Sequence, residues 1–380
     1  MTRVLHEMKV DVNTPFLAWA EARGISTPLQ LVSEGGYRSM QIPSDLSAES
    51  LVSQMAMSED RTNVVTVPLD TCIIGEDLPT LIEKLKYEKS LGDASTYAPW
   101  LNLFPKMEDF KDMPRFWQQD RLDFVKKFDG GQLEARMEID QPRIDKCDDP
   151  WALAIVDSRT NYLPDDTYSL TPMLDMFNHD ATYRTSAQVD DYRTLSLGVS
   201  SDAILASSNG SVDWKDQLFG LLKGGAQEKG NEVFISYGDF DNIELLSNYG
   251  FCSIDNASNI EQFRVRSIGM GLDPTLLVVD TKGCIDNMFN TMSLDALRLS
   301  LASPSELEEY EGTGQISDRN EEEVYALIAG ELEEAVYDAN AGAAEAEIRG
   351  DTLVTTYLKG RHRTLELGLN ALKEQYPDFF

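Results

Sequence analysis

The sequence predicts an α+β fold, because short strand-like runs and helical runs occupy separate stretches of the chain. Strand-like pieces fall within 30–75 and again within 165–252, whereas 76–150 and 301–380 carry helical periodicity. At 380 residues the chain exceeds one typical core, so more than one packed unit is expected. An apolar content of 42%, with 15 Phe, 14 Tyr and 5 Trp, is enough to fill such units and sets the chain apart from acidic disordered sequences.

The elements follow in order. Phe16, Leu17, Trp19 and Ala20 recur at helical spacing behind Thr14-Pro15, which predicts a helix over 14–23 that Gly24 ends. Val64-Val65-Thr66-Val67, stopped by Pro68, and Cys72-Ile73-Ile74, stopped by Gly75, read as strands. Leu78, Leu81, Ile82 and Leu85 mark a helix. Phe116, Leu122, Phe124, Val125 and Phe128 mark another, closed by Gly130-Gly131, and a third apolar stretch covers 151–156. Glu232-Val233-Phe234-Ile235-Ser236-Tyr237 is the clearest strand. Asp241 or Asn242 then caps a short helix holding Leu245 and Leu246, which stops at Gly250. The mixed segment 261–300 reads as a connection. Near the C-terminus, Asn320-Glu321-Glu322-Glu323 looks like a helix cap with Glu at its third position. Val324, Leu327, Ile328, Leu332, Ala335 and Val336 form one core-facing stripe after it, and Leu353, Val354, Tyr357, Leu358, Leu365, Leu369 and Leu372 form another.

Charge and rare residues exclude several functions. The formal net charge is −32, and 301–380 alone holds 18 acidic against 6 basic side chains. A nucleic-acid backbone or an anionic membrane surface needs clustered Lys and Arg, so neither is an expected partner. A protein partner with a basic segment suits the acidic C-terminal helices, although net charge also serves solubility. Cys72, Cys147, Cys252 and Cys284 lie far apart, and His6, His179 and His362 are the only histidines, so no metal site is expected. Isolated cysteines suit a reducing compartment, the cytoplasm, with the nucleus or a plastid as alternatives. The N-terminus has no signal-peptide core, and no apolar run approaches the ~20 residues of a membrane span.

Two segments carry the chemistry together: Leu174-Asp175-Met176-Phe177-Asn178-His179-Asp180, and, about sixty residues on, Glu232-Val233-Phe234-Ile235-Ser236-Tyr237-Gly238 followed by Asn248-Tyr249-Gly250-Phe251. In this order and spacing they resemble the SET-domain protein methyltransferases, whose Asn-His motif precedes a strand leading to a catalytic tyrosine. The branch they resemble is that of the Rubisco large-subunit lysine methyltransferases. Ser95-Thr96-Tyr97-Ala98-Pro99-Trp100-Leu101 with Phe104-Pro105, and Ser158-Arg159, match further segments of that branch. The family opens its core with a G-x-G or Gly-Arg-Gly-Leu motif. Here the stretch is Glu34-Gly35-Gly36-Tyr37-Arg38-Ser39-Met40, with Tyr37 or Ser39 where a glycine is expected.

The resemblance implies a SET-domain β-fold over 14–260 with a helical insertion at about 76–156, then an all-α substrate-binding domain over 261–380. A knot-like crossing near the Asn-His motif is part of the same expectation. S-adenosylmethionine is the implied cofactor, with Asn178, His179, Arg159 and Gly36 as its contacts. Tyr237 is the implied catalytic residue, and Tyr249 and Phe251 line the implied lysine channel. Asp175 more readily fixes a turn or a strand end than touches substrate. The implied function is lysine N-methylation of a non-histone protein by a monomer. Two alternatives stand beside it: a non-catalytic SET-fold binding protein and a protein-histidine N-methyltransferase. Physically, in-line methyl transfer to an amine needs alignment, a neutral amine and exclusion of water, with no metal.

Overall fold

The computed structural model describes residues 13–34, 37–208, 231–265, 275–281, 291–314 and 316–377. Gly36, with His6 and Cys284, lies outside them. The chain divides into two compact units. Residues up to Phe110 with Ile144–Gly238 make the first, and Lys111–Arg143 with Asp239–Phe380 make the second.

In the first unit, the helix Asn13–Ala22 buries Phe16 and Ala20 and ends before Gly24, as its spacing predicts. β1 (Gln30–Glu34) pairs antiparallel with β2 (Tyr37–Gln41), with Glu34 opposite Tyr37. β3 (Ala56–Ser58), β4 (Arg61–Pro68), β8 (Thr185–Val189) and β9 (Thr194–Ser200) form an antiparallel sheet in the order β3-β4-β9-β8. The run read at 64–67 is thus the middle of β4, whose Val64, Val65 and Val67 are buried. β5 (Ile73–Gly75), β6 (Thr160–Tyr162) and β7 (Tyr168–Leu170) form a second sheet, β5-β7-β6. The helices Leu78–Ser90 and Pro150–Arg159 correspond to two of the expected helical stretches. Aromatic packing fixes the Ser95–Leu101 segment: Trp100 is fully buried, 5.0 Å edge-on to Phe104 and 6.5 Å from Trp19.

The strand expected at 232–237 takes a different form. The segment is extended, and Val233, Phe234 and Ile235 are buried, but it carries only isolated bridges. The reason is a change of partner. Val233 N–H donates to Met40 O (2.8 Å) and Asn231 O accepts from Ile42 N–H (2.7 Å), an antiparallel pairing with β2. Two residues on, Ile235 N–H donates to Asn178 O and Ile235 O accepts from Asp180 N–H, both at 3.0 Å, a parallel pairing with the Asn-His segment. Neither partner is held long enough to make a continuous ladder.

In the second unit, the helices Asp318–Ile348 and Thr352–Gln375 bury the two stripes expected of them, including Val324, Ile328 and Leu332 on one and Tyr357, Leu358 and Leu365 on the other. The cap of the first is Ser317, whose hydroxyl accepts from Asn320 N–H (3.1 Å). It is not Asn320, which is fully buried and donates its amide to Arg298 O. The segment 261–300 does more than connect. β10 (Ile260–Val265) and β11 (Thr275–Asp280) pair antiparallel, and Phe263, Val265, Leu277 and Val279 join the core built on Val324, Ile328 and Leu332. The helix Gln119–Asp129, expected as part of one insertion at 76–156, also packs in this unit. Its Phe124, Val125 and Phe128 share a core with Ala343, Ala346, Val354 and Tyr357. Gly342 makes that approach feasible, since a Cβ there would lie 2.5 Å from the Phe128 ring. The contact-defined boundary therefore falls at 238/239, and 111–143 group with the C-terminal part, where the sequence reading drew a single line at 260.

Within the same unit lies a buried polar network. Arg361, 2% exposed, donates to the carboxylate of Glu261, 0% exposed, at 2.6 Å. Glu261 also accepts from Gln132 Nε2 (3.0 Å) and Asn259 Nδ2 (2.9 Å). Nearby, buried Asp129 accepts from the N–H groups of Gly131 and Leu133 and from the Tyr357 hydroxyl. Burial raises the Asp129 carboxyl above its usual range, against the pull of Arg361.

Candidate active site

Tyr237 closes the extended segment. Its backbone N–H donates to His179 Nδ1 (3.0 Å), and its hydroxyl donates to the carbonyl of Phe177 (2.7 Å). The two rings lie 5.1 Å apart at 37°. The switch of partner at Ile235 thus brings Tyr237 onto the Asn178-His179 pair from which sixty residues separate it. Desolvation raises the Tyr237 phenol to about 12, so it is a neutral hydroxyl at physiological pH.

His179 is held neutral. Accepting a hydrogen bond at Nδ1 requires that nitrogen to be unprotonated, and burial lowers the imidazole to about 4. The sign follows from linkage. The folded value lies below the usual 6.5, so the stabilisation is full above pH 6.5 and is lost as pH falls through about 4. Between pH 7 and 5 the wild type is expected to lose up to about 2 kcal/mol from this residue. Denaturant titrations of wild type and His179→Gln across that range test it: the variant's decline should be shallower by this amount, and parallel declines would exclude the assignment.

Asn178 anchors the other side. Its Nδ2 lies 2.8 Å from each of three acceptors, the carbonyl of Arg38, the carboxylate of Glu232 and the hydroxyl of Tyr37. Tyr37 in turn donates to Glu232 (2.8 Å). Neither Tyr37 nor Glu232 stood out as a site residue in the sequence. The signals were there: Tyr37 occupies a position where the resembled motif carries glycine, and Glu232 opens the tyrosine segment.

Arg159 and Asp175 support this pair from below. Arg159 Nη1 donates to the backbone carbonyl (2.7 Å) and the carboxylate (3.2 Å) of Asp175, whose side chain is 0% exposed. Trp100 Nε1 donates to the same carboxylate (3.1 Å). Asp175 therefore fixes the turn Leu174–Met176, as expected of it, and ties it to the buried Trp100. That turn is launched by Met173 at φ 68°, a left-handed backbone that costs a non-glycine residue about 1–3 kcal/mol. Arg159 is thus committed to the turn that delivers Asn178 and His179.

Tyr249 and Phe251 belong to the second unit. They flank Gly250, which ends the helix Asn242–Tyr249 at φ 76°, and their rings lie 5.9 Å apart. Phe240 is 6.0 Å from Tyr249, so three aromatic rings group there. Asp241 caps that helix through a capping box with Glu244, one of the two caps its sequence allowed. No helix among the described residues is long and apolar enough to cross a membrane.

Comparison with known proteins gives the class. Solved structures of the SET domain of LSMT bound to lysine and AdoHcy superpose with a TM-score of 0.62 at 14% identity, covering 97% of this chain and 92% of that one. Rubisco LSMT bound to AdoMet gives 0.62 at 15% identity, covering 97% and 93%. Rubisco LSMT bound to sinefungin and monomethyllysine gives 0.58 at 16%, with the same coverage. The chain has the SET-domain fold. It is the Rubisco LSMT-like form of that fold, with elements matching over nearly the whole of both chains. In sequence, Protein SET DOMAIN GROUP 40 of Arabidopsis thaliana is 29% identical over 124 residues, and the match spans 29% of this chain and 23% of that protein's length. No protein-family profile matches the chain.

Proposed function

We propose that this chain is an S-adenosylmethionine-dependent protein-lysine N-methyltransferase acting on a non-histone protein. One observation carries the reading: a neutral tyrosine hydroxyl, its proton anchored on Phe177 O, stands beside an Asn-His pair in a SET fold. The bound ligands of the similar structures, AdoMet, AdoHcy, lysine and methyllysine, support the same reaction class.

The residues fit such a cofactor. A carboxylate and an amide oxygen suit a cationic molecule, and Asn178 and Glu232 supply both kinds of group. Asn178, the backbone of His179 and the segment containing Gly36 would hold it, with Arg159 acting through the Asp175 turn. When bound, it supplies a methyl group on an electrophilic sulfonium. Tyr237 accepts a hydrogen bond from the substrate amine and holds its lone pair on the axis of transfer. As a neutral group it orients the amine and leaves the ammonium proton to be lost to solvent before transfer. In this reading Tyr249 and Phe251 form aromatic walls for the lysine stem and its approaching cation. By the same reading the SET domain of 14–260, less the 111–143 and 239–260 that group with the second unit, is catalytic, and 261–380 recognises the substrate.

The test is incubation with methyl-labelled S-adenosylmethionine and a cell extract, followed by mass spectrometry of any labelled protein. Label on a lysine side chain is the expected result. Label on histidine would replace the acceptor assignment. Cofactor binding without any transfer would favour a binding protein.

A further inference from the structure

Phe240, Tyr249 and Phe251 sit on the helix Asn242–Tyr249 and its flanks, and one buried amide closes this stretch at its base. Asn242 Nδ2 donates to Ser253 O (2.8 Å), and Asn242 Oδ1 accepts from Ser253 N–H (3.0 Å). The pairing fixes which end of the amide is which, since a backbone carbonyl only accepts and a backbone N–H only donates. Asn256, also buried, donates to Phe240 O (2.9 Å). Tyr249 and Phe251 are thus carried on a loop whose two ends, 242 and 253, are tied to each other.

The tie is seated on the helix Thr352–Gln375 at two points about one turn apart. The first is a missing side chain. A Cβ on Gly360 would lie 2.6 Å from Asn242 Nδ2 and 3.0 Å from Ser253 O. Glycine is among the poorest helix formers, so this helix gives up stability for the space that Asn242 needs. The second is a hydrogen-bonded link. The Thr364 hydroxyl donates to Gly360 O (3.1 Å) and accepts from Asn259 Nδ2 (2.9 Å). Asn259 Oδ1 in turn accepts from Asn242 N–H (2.9 Å), so buried Asn259 bridges the two helices.

We propose that Gly360 and Thr364 are positioning residues: acting through Asn242 and Asn259, they set the Tyr249 and Phe251 rings where a lysine side chain has to pass. The assignment rests on the methyltransferase reading above and extends it to residues of the C-terminal helix that act at a distance. The chemistry selects which ligand responds. An alkyl stem and its cation gain from aromatic faces only at close contact, so a small displacement of the rings weakens lysine. Asn178 and His179, the residues read as cofactor contacts, belong to the other compact unit.

Gly360→Ala adds one methyl group against Asn242, and Thr364→Val removes one hydroxyl while keeping the side chain's shape. Calorimetry on the full chain measures S-adenosylhomocysteine first, then L-lysine added to the loaded protein. Each variant should bind L-lysine about tenfold more weakly than wild type, with S-adenosylhomocysteine within about twofold. In an Asn242→Ala background, Gly360→Ala should cause no further loss. If wild type binds both ligands and both variants match it, the positioning role is wrong while the methyltransferase reading stands. If both ligands weaken equally, Gly360 and Thr364 merely support the fold and the proposal is again wrong. If wild type binds S-adenosylhomocysteine but no L-lysine, the aromatic group is no lysine site and the proposal falls with the cofactor assignment intact. If wild type binds no S-adenosylhomocysteine, the methyltransferase reading itself is overturned.

Discussion

Tyr237→Phe is expected to slow methyl transfer by about 10²- to 10³-fold while leaving the affinity for S-adenosylmethionine within about twofold. The substitution removes one oxygen and keeps the ring, so its packing 5.1 Å from His179 persists. The backbone N–H still donates to His179 Nδ1, because that bond involves no side-chain atom of Tyr237. Two things are lost: the acceptor that would align the amine, and the donor to Phe177 O. The second loss leaves a backbone carbonyl without its partner, at a cost of about 1–3 kcal/mol in stability. Single-turnover kinetics with enzyme in excess separate alignment from binding. A wild-type rate in the variant would remove Tyr237 from the mechanism. The rate should also show no limb attributable to Tyr237 across pH 6–9, since its hydroxyl stays protonated up to about 12.

Much of this site was legible in the sequence. Asn178, His179 and Tyr237 stand out through the resemblance of their two segments to SET-domain motifs, and they meet through the pairings at Ile235. Asp175 was read as a turn residue and serves as one. The clamp on Asn178 was not legible, because Tyr37 looked like a defect in a glycine motif and its compensation lies 195 residues away. The segment 232–237 was read as a strand from its Val, Phe and Ile content. Composition reports extended, buried backbone, but it cannot reveal that the partner changes midway. Helices followed the same logic: periodicity found the apolar faces of 119–129, 318–348 and 352–375. It could not say that the first packs with the other two, since that contact depends on a missing Cβ at Gly342.

The second large effect concerns Arg361. It lies on the helix Thr352–Gln375, where it is 2% exposed and bound to a carboxylate that is 0% exposed. Arg361→Met is expected to destabilise the second unit by about 3–5 kcal/mol, because it leaves Glu261 buried without its counter-charge beside Asp129. The pair itself contributes less than this figure suggests, since both charges were desolvated on folding. Arg361→Met combined with Glu261→Gln should therefore recover part of the loss, with the new amide oxygen able to accept from Gln132 or from Asn259. Urea unfolding followed by tryptophan fluorescence and circular dichroism measures both variants. A loss below about 1 kcal/mol in the single variant, or no recovery in the double, would contradict this account.

The change of partner at 231–235 also has a kinetic consequence. The contacts that assemble the site join residues 37–42, 178–180 and 231–237, so the two closures span long stretches of chain. Such closures cost entropy before they return any contact energy, and they form late in folding. During synthesis the first sheets and the Asn-His turn emerge well before Ile235. A nascent chain that has not yet delivered this segment holds Asn178 and His179 without the backbone that pairs them. Docking of this one buried strand-like segment is therefore expected to be the slow step of folding, and the point at which a destabilised variant stalls.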